Sequence, residues 1–223
     1  MDNTHTQLKL GINVKPVFEH KTSDTEDKKL KYKPIPEDLI EAVYYNNGDL
    51  FWNRDVRANR HLYRNRRKGH IATTLRPKYW CKTKKSWVPA KYIITWYING
   101  KRKNFYASRV IMAMFRYDDV TRQVDHIDHN TLNNKLSNLR HATPRQNAGN
   151  TRLRINNSTG YKNVCRYRNN TVRVTFMVDG KFIQVKDEFG RASWPDTKEG
   201  LEYADKIAIT FREKTFGEFA CHG

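Results

Sequence analysis

Asp125-His126-Ile127-Asp128, followed by Asn133-Asn134, Asn138-Leu139-Arg140 and Thr143-Pro144-Arg145-Gln146-Asn147, gathers a carboxylate, a histidine and several carboxamides into one short stretch. Asn138 lies 12 positions after His126, and Asn147 lies 9 positions after Asn138. Metal-assisted phosphodiester hydrolysis needs a hard cation on the scissile phosphate, a base for water, and a frame that holds both. A cation such as Mg²⁺ (or Mn²⁺) prefers oxygen ligands and keeps several waters, so one carboxylate plus one amide oxygen is a sufficient protein contribution. Asp125 can supply the carboxylate and Asn147 the amide oxygen. His126, with an ordinary imidazole pKa of about 6.5, can act as a general base near neutral pH.

The local pattern favours that assembly. Val124 to Ile127 is β-compatible, and neighbouring residues on a strand point to opposite faces. Asp125 and His126 therefore share a site only where the strand ends or bends, and polar Asp128-His129-Asn130 implies such an end. Thr143-Pro144-Arg145-Gln146 reads as a helix start, with Thr143 as N-cap, Pro144 in the first turn and Gln146 completing a capping box. Asn147 then falls in the first helical turn, where free N–H groups favour phosphate. Other readings stand beside this one. Asp128 and His129 would fit a zinc cluster, although zinc prefers three or four N/S ligands and no cysteine is near. Asn133, Asn134 and Asn138 fit turn positions, and His141 fits either a phosphate contact or a plain surface site.

Together these residues resemble the HNH endonuclease family, in the branch whose third position is Asn. The resemblance implies a ββα-metal (His-Me finger) nuclease core with one divalent ion per active site. In it Asp125 and Asn147 match the metal ligands and His126 the water-activating base. Asn138 matches the residue that ties the intervening loop to the β-ribbon.

The 223 residues carry 42 Lys and Arg against 23 Asp and Glu, a formal charge of +19. Such a surplus attracts polyanions, and double-stranded DNA is the expected partner. No apolar run approaches the ~18–20 residues needed to span a bilayer, so no membrane association is expected. The first 30 residues lack an apolar signal core. Three scattered cysteines suit a reducing compartment and form no paired zinc knuckle. A cytoplasmic location is expected, and no protein partner is evident.

Residues 1–34 read as a flexible polar arm, and 35–120 as a mixed region preceding the core. Pro36 starts a short helix with Leu39, Ile40, Val43 and Tyr44 on one stripe. Asn46 to Asp49 breaks it, and Leu50-Phe51-Trp52 follows as a strand. From Arg54 to Lys68, seven cations face a single Asp55. That segment is either a solvated loop or a phosphate contact. Asn99-Gly100 marks a hairpin between Tyr92–Ile98 and Lys101–Tyr106, and Val110 to Phe115 reads as an apolar helix. The nuclease motif occupies 121–152, a basic linker 153–159, and a separate unit 160–220.

In that last unit Asn169-Asn170 and Asp179-Gly180 read as two-residue hairpin turns. They pair Arg168 with Thr171, Arg166 with Arg173, and Val178 with Lys181. One sheet face then collects Lys162, Arg166, Arg168, Arg173, Thr175, Gln184 and Lys186. The other collects Tyr161, Cys165, Tyr167, Val172, Val174, Phe176, Val178, Ile183 and Val185. A capping box at Asp196 to Glu199 opens a helix whose apolar stripe, Leu201 to Phe211, covers that second face. The polar face is either a solvated outer face or a DNA-reading surface, where Arg reads guanine and Gln reads adenine. With Ser158-Thr159-Gly160-Tyr161 and Phe216-Gly217-Glu218-Phe219-Ala220, the unit resembles an AP2/ERF-type DNA-binding domain. The expected fold class is thus α+β, a ββα-metal core followed by a three-stranded antiparallel sheet with one helix. The expected DNA contacts also include Arg140 and Arg145. The combination resembles bacteriophage homing endonucleases acting on DNA in the bacterial host. The alternative is a non-catalytic DNA-binding regulator that uses the C-terminal sheet.

Overall fold

The computed structural model describes residues 32–56, 66–83, 85–115 and 119–223. Residues 1–31 of the expected arm and 57–65 of the Arg54–Lys68 segment lie outside the described residues. The chain is mixed α and β, in two compact units that divide between Pro144 and Arg145.

The first unit opens with α1 (Glu37–Ala42), β1 (Val43–Asn46) and β2 (Asp49–Trp52). The expected helical stripe stops earlier than its periodicity suggests, because Val43-Tyr44-Tyr45 is β-branched and aromatic and pairs with Leu50-Phe51-Trp52. Asn47 and Gly48 make the turn, both at positive φ. Next come β3 (Thr74–Arg76), β4 (Tyr79–Cys81), β5 (Ser86–Val88), β6 (Lys91–Ile98) and β7 (Lys101–Tyr106). β6 and β7 form the hairpin expected at Asn99-Gly100, with β3 on the other edge of β6. β4 and β5 pair only with each other among the described residues.

Helix α2 (Ala107–Phe115) buries Val110, Ile111 and Met112 in a core with Leu39, Leu50, Trp52 and Ile94. The last two strands, β8 (Gln123–His126) and β9 (Leu139–Ala142), pair antiparallel. Leu139 enters the same core and Val124 packs against it, so the hairpin is anchored on α2 and its neighbours. Arg66, part of the run read from sequence as either a solvated loop or a phosphate contact, is buried here. Its Nη2 donates to the Thr95 carbonyl at 2.7 Å and its guanidinium lies over Trp52.

The second unit contains α3 (Pro144–Gly149), β10 (Val164–Tyr167), β11 (Thr171–Val178), β12 (Lys181–Gln184), β13 (Trp194–Pro195) and α4 (Lys198–Phe216). β10, β11 and β12 form a three-stranded antiparallel sheet, and short β13 adds to β11. Ala204, Ile207, Ala208 and Phe211 of α4 are buried, with the Phe211 ring centre 4.5 Å from that of Phe176.

The expected β11–β12 register holds, with Val178 opposite Lys181 and Thr175 opposite Gln184. The β10–β11 register does not. Tyr167 pairs with Thr171, Arg166 with Val172 and Cys165 with Arg173, one residue away from the expectation. The turn is three residues, Arg168-Asn169-Asn170, with both asparagines at positive φ. A one-residue slip exchanges the faces of a strand. Cys165 and Tyr167 therefore share the outer face with Arg173, and Arg166 moves to the opposite one. The helix cap also shifts. Thr197, not Asp196, accepts from the Gly200 N–H, leaving Asp196 to pair with Arg166 at 2.7 Å.

Gly200 sits in the first turn of α4 against the Pro195 carbonyl, which a Cβ would overlap. Gly→Ala in a helix normally stabilises by about 1 kcal/mol. Gly200→Ala should instead destabilise by about 1–3 kcal/mol, the range for forced overpacking. Urea denaturation checks this, and a higher midpoint for the variant would contradict it.

Candidate active site

The β8–β9 hairpin sets Asp125 opposite Arg140 and His126 opposite Leu139. Because β8 ends at His126 and a turn follows, the two adjacent residues are not held to strict strand alternation. Both are buried. The Arg140 Nε donates to Asp125 Oδ2 at 2.9 Å, and both side chains are largely shielded from solvent. Arg140, expected at the DNA, therefore neutralises and aims the Asp125 carboxylate.

Asparagines organise the loop between the strands. Asn138, in the 3₁₀ turn Leu136–Asn138, accepts from the Asp128 N–H at 3.0 Å. Its Nδ2 donates to Asp128 Oδ1 and to the Asn133 carbonyl, each at 2.8 Å. Its backbone carbonyl accepts from the Ile127 N–H at 3.0 Å. Asp128 also accepts from the Asn130 N–H and the Asn133 side chain. Burial alone would raise the Asp128 carboxyl, yet these hydrogen bonds hold it below the usual carboxylate value. Asp128 is thus a loop-ordering anion. Among the described residues, no group of three or more His, Cys, Asp and Glu is assembled for a metal.

Asn134 is buried beside His126, with its Oδ1 3.1 Å from the imidazole Nε2. That hydrogen bond fixes the orientation of the imidazole ring. Burial pushes the His126 pKa below 6.5, and the Lys91 cation acts in the same direction. The Asn134 contact and the Asp125 and Asp128 carboxylates oppose the shift without offsetting it. A neutral imidazole at neutral pH is the form a general base requires. In sequence Asn134 reads as a turn former, since nothing in the spacing separates it from Asn133. The Asp125 carboxylate, next to His126 in the chain, is an oxygen donor of the kind that a hard divalent ion prefers.

The remaining expected residues belong to the second unit. Asn147 is half-buried in α3. Arg145 pairs with Asp179 at 3.2 Å. Lys162 is buried, and its ammonium donates to the carbonyls of Gly149, Thr151 and Cys221. It is an internal cation, off the outer sheet face. Arg166 pairs with Asp196 and also donates to the Ser158 carbonyl. Arg173 lies over the Tyr167 ring on the outer face. Thr175 and Gln184 are half-buried there, and Gln184 Nε2 donates to the Ala192 carbonyl at 2.9 Å. Arg168 and Lys186 are exposed.

Residues 105–149 match the HNH endonuclease family model. The match takes in α2, both strands of the hairpin and Asn147. Over 97 residues the chain is 35% identical to an uncharacterized HNH endonuclease of Acanthamoeba polyphaga mimivirus, a segment that is 44% of this chain and 44% of that relative. No solved structure matches the chain. Among the described residues no helix is long and apolar enough to cross a membrane.

The His126 shift has a definite sign. The unfolded chain takes up the proton first, so this group's contribution to stability falls as pH drops below about 6.5. In the folded protein the His126 imidazole should titrate below that value by NMR, and Asn134→Asp should move the midpoint upward by adding a carboxylate. A midpoint above 6.5 in the unmodified chain would contradict the buried, neutral ring.

Proposed function

We propose that the chain is a site-specific, divalent-metal-dependent endonuclease that hydrolyses phosphodiester bonds in double-stranded DNA. The observation that carries this reading is the buried His126, held by Asn134 next to Asp125 at the end of β8, inside the segment that matches HNH endonucleases. His126 accepts the proton of the attacking water, Asn134 fixes its ring, and Arg140 orients the Asp125 carboxylate. By motif position Asp125 and Asn147 are the protein ligands of one Mg²⁺ or Mn²⁺. When bound, such an ion polarises the phosphate and offsets the charge that develops on it. Asn138 keeps the loop in register with both strands.

The ββα-metal core and the AP2/ERF likeness of the second unit belong to the same proposal. The order of sheet and helix supports that likeness; the corrected register removes Arg166 and burial removes Lys162, which leaves Arg173, Thr175, Gln184 and Lys186 on the outer face and Arg168 in the adjoining turn as its candidate contacts. A mobile-element role like that of bacteriophage homing endonucleases, exercised in the host cytoplasm, rests on family resemblance alone.

His126→Ala should lose about 10²–10⁴-fold in plasmid cleavage while still binding DNA. EDTA should abolish cleavage by the unmodified chain. Cleavage that survives both changes would remove the nuclease assignment, and binding with no metal-stimulated cleavage in any preparation would favour a non-catalytic DNA-binding regulator.

Asp125→Asn should remove metal-dependent cleavage, whereas Asp128→Asn should mainly lower thermal stability. Paired cleavage and melting assays separate the two, and a greater catalytic loss at Asp128 would reassign the ligand.

A further inference from the structure

From Val56 to Tyr117 the sequence holds 17 Lys and Arg and no Asp or Glu. Within that run the β4–β5 ribbon presents two tryptophans to solvent. Of the five in the chain, Trp52, Trp96 and Trp194 are buried, as large aromatic side chains usually are. Trp80 and Trp87 are 49% and 59% exposed. They are directly opposed across the ribbon, with ring centroids 5.7 Å apart at 73°. Lys78 Nζ lies 4.9 Å from the centre of the Trp87 ring, and Arg76 lies 4.6 Å over Tyr79. Leu75 and Tyr79 extend the exposed apolar surface.

An isolated ribbon of two three-residue strands is marginal in water, and a cross-strand aromatic pair helps to hold it. That accounts for two tryptophans facing each other. It does not account for the cations placed over the rings in a run with no acid to balance them. Flat aromatic surfaces edged with Lys and Arg complement one common partner: base faces joined by phosphates. We propose that the β4–β5 ribbon is a stacking platform for the bases of a DNA strand that is unpaired or unstacked. Trp80 and Trp87 meet base faces, and Arg76, Lys78, Lys82 and Lys85 meet the flanking phosphates. The ribbon lies outside the 105–149 match, and the inference rests on the DNA reading only for its partner, not for cleavage by His126.

The test is binding by the full chain in EDTA, so that loss of catalysis and loss of stacking are read separately. The probes are oligothymidylate, an abasic strand of equal length, a perfect duplex, and a duplex with a central bubble. Oligothymidylate should quench the fluorescence of the exposed tryptophans, and the abasic strand should not. Trp80→Ala and Trp87→Ala should each weaken oligothymidylate and bubble binding by about 5- to 150-fold. Trp→Phe at the same positions should restore most of the loss. The salt slope should stay unchanged in the Trp variants. In Lys78→Gln it should fall by about 0.7, the share of one cation that neutralises a single-strand phosphate. Equal affinity for the abasic strand would overturn the proposal in favour of a phosphate patch. An equal loss on perfect duplex would make the ribbon a groove contact, and concentration-dependent self-association abolished by the Trp variants would make it a dimer surface. Either result rejects stacking.

Discussion

The carboxamide of Asn138 closes the loop that follows His126, and the candidate site depends on that closure. Eleven residues separate His126 from Asn138, enough for many conformations if nothing ties them. Asn138 uses its oxygen on the Asp128 N–H and its amine on both the Asp128 carboxylate and the Asn133 carbonyl. Those contacts fix where the loop returns, and with it the position of Asn134 over the His126 ring. Asn138 is the buried member of this network while Asp128 lies at the surface, so the desolvation cost of about 1–3 kcal/mol for an unsatisfied group falls chiefly on the Asn138 carboxamide. The hairpin supplies the other half. Leu139 in the core holds β9, and Arg140, the next residue, turns back onto Asp125.

The same site shows how burial and charge divide the chemistry. Asp125 is buried with a guanidinium partner, so its charge is compensated inside the protein. Burial of His126 favours its neutral form, against the opposing pull of the Asn134 contact. One residue is thereby suited to hold charge and its neighbour to accept it. Adjacent positions at a strand end allow both without competition for one direction.

Much of this is legible in sequence where the signal is local. Asn99-Gly100 marks the β6–β7 hairpin, Asp179-Gly180 the β11–β12 register, and the alternation of Val172, Val174, Phe176 and Val178 the covered sheet face. Sequence and structure part where two local readings compete. Asn169-Asn170 fits a two-residue turn, but both asparagines and Arg168 form the loop, and the extra residue carries Arg166 to the other face. Val43 and Tyr44 satisfy a helical stripe and a strand equally well, and pairing with β2 decides between them. Partners distant along the chain leave no local trace. Arg66 under Thr95, Lys162 among three carbonyls and Asn134 against His126 are polar residues whose burial depends on groups that spacing does not reveal.

Charge is distributed far less evenly than fold. Outside Val56–Tyr117 the remaining residues carry 25 Lys and Arg against 23 Asp and Glu, so nearly all of the +19 belongs to one stretch of the first unit. In the second unit several cations are already engaged: Arg145 with Asp179, Arg166 with Asp196, Arg191 with Asp187, and Lys162 with backbone carbonyls. Phosphate contacts supply affinity that falls steeply with salt, whereas base contacts supply discrimination. Under the nuclease reading these tasks divide along the chain. The acid-free stretch draws the polyanion in, and the second unit, with 14 Lys and Arg against 9 Asp and Glu from Arg145 onward and several of those cations engaged within the protein, is suited more to choosing among sequences than to supplying the bulk of the attraction.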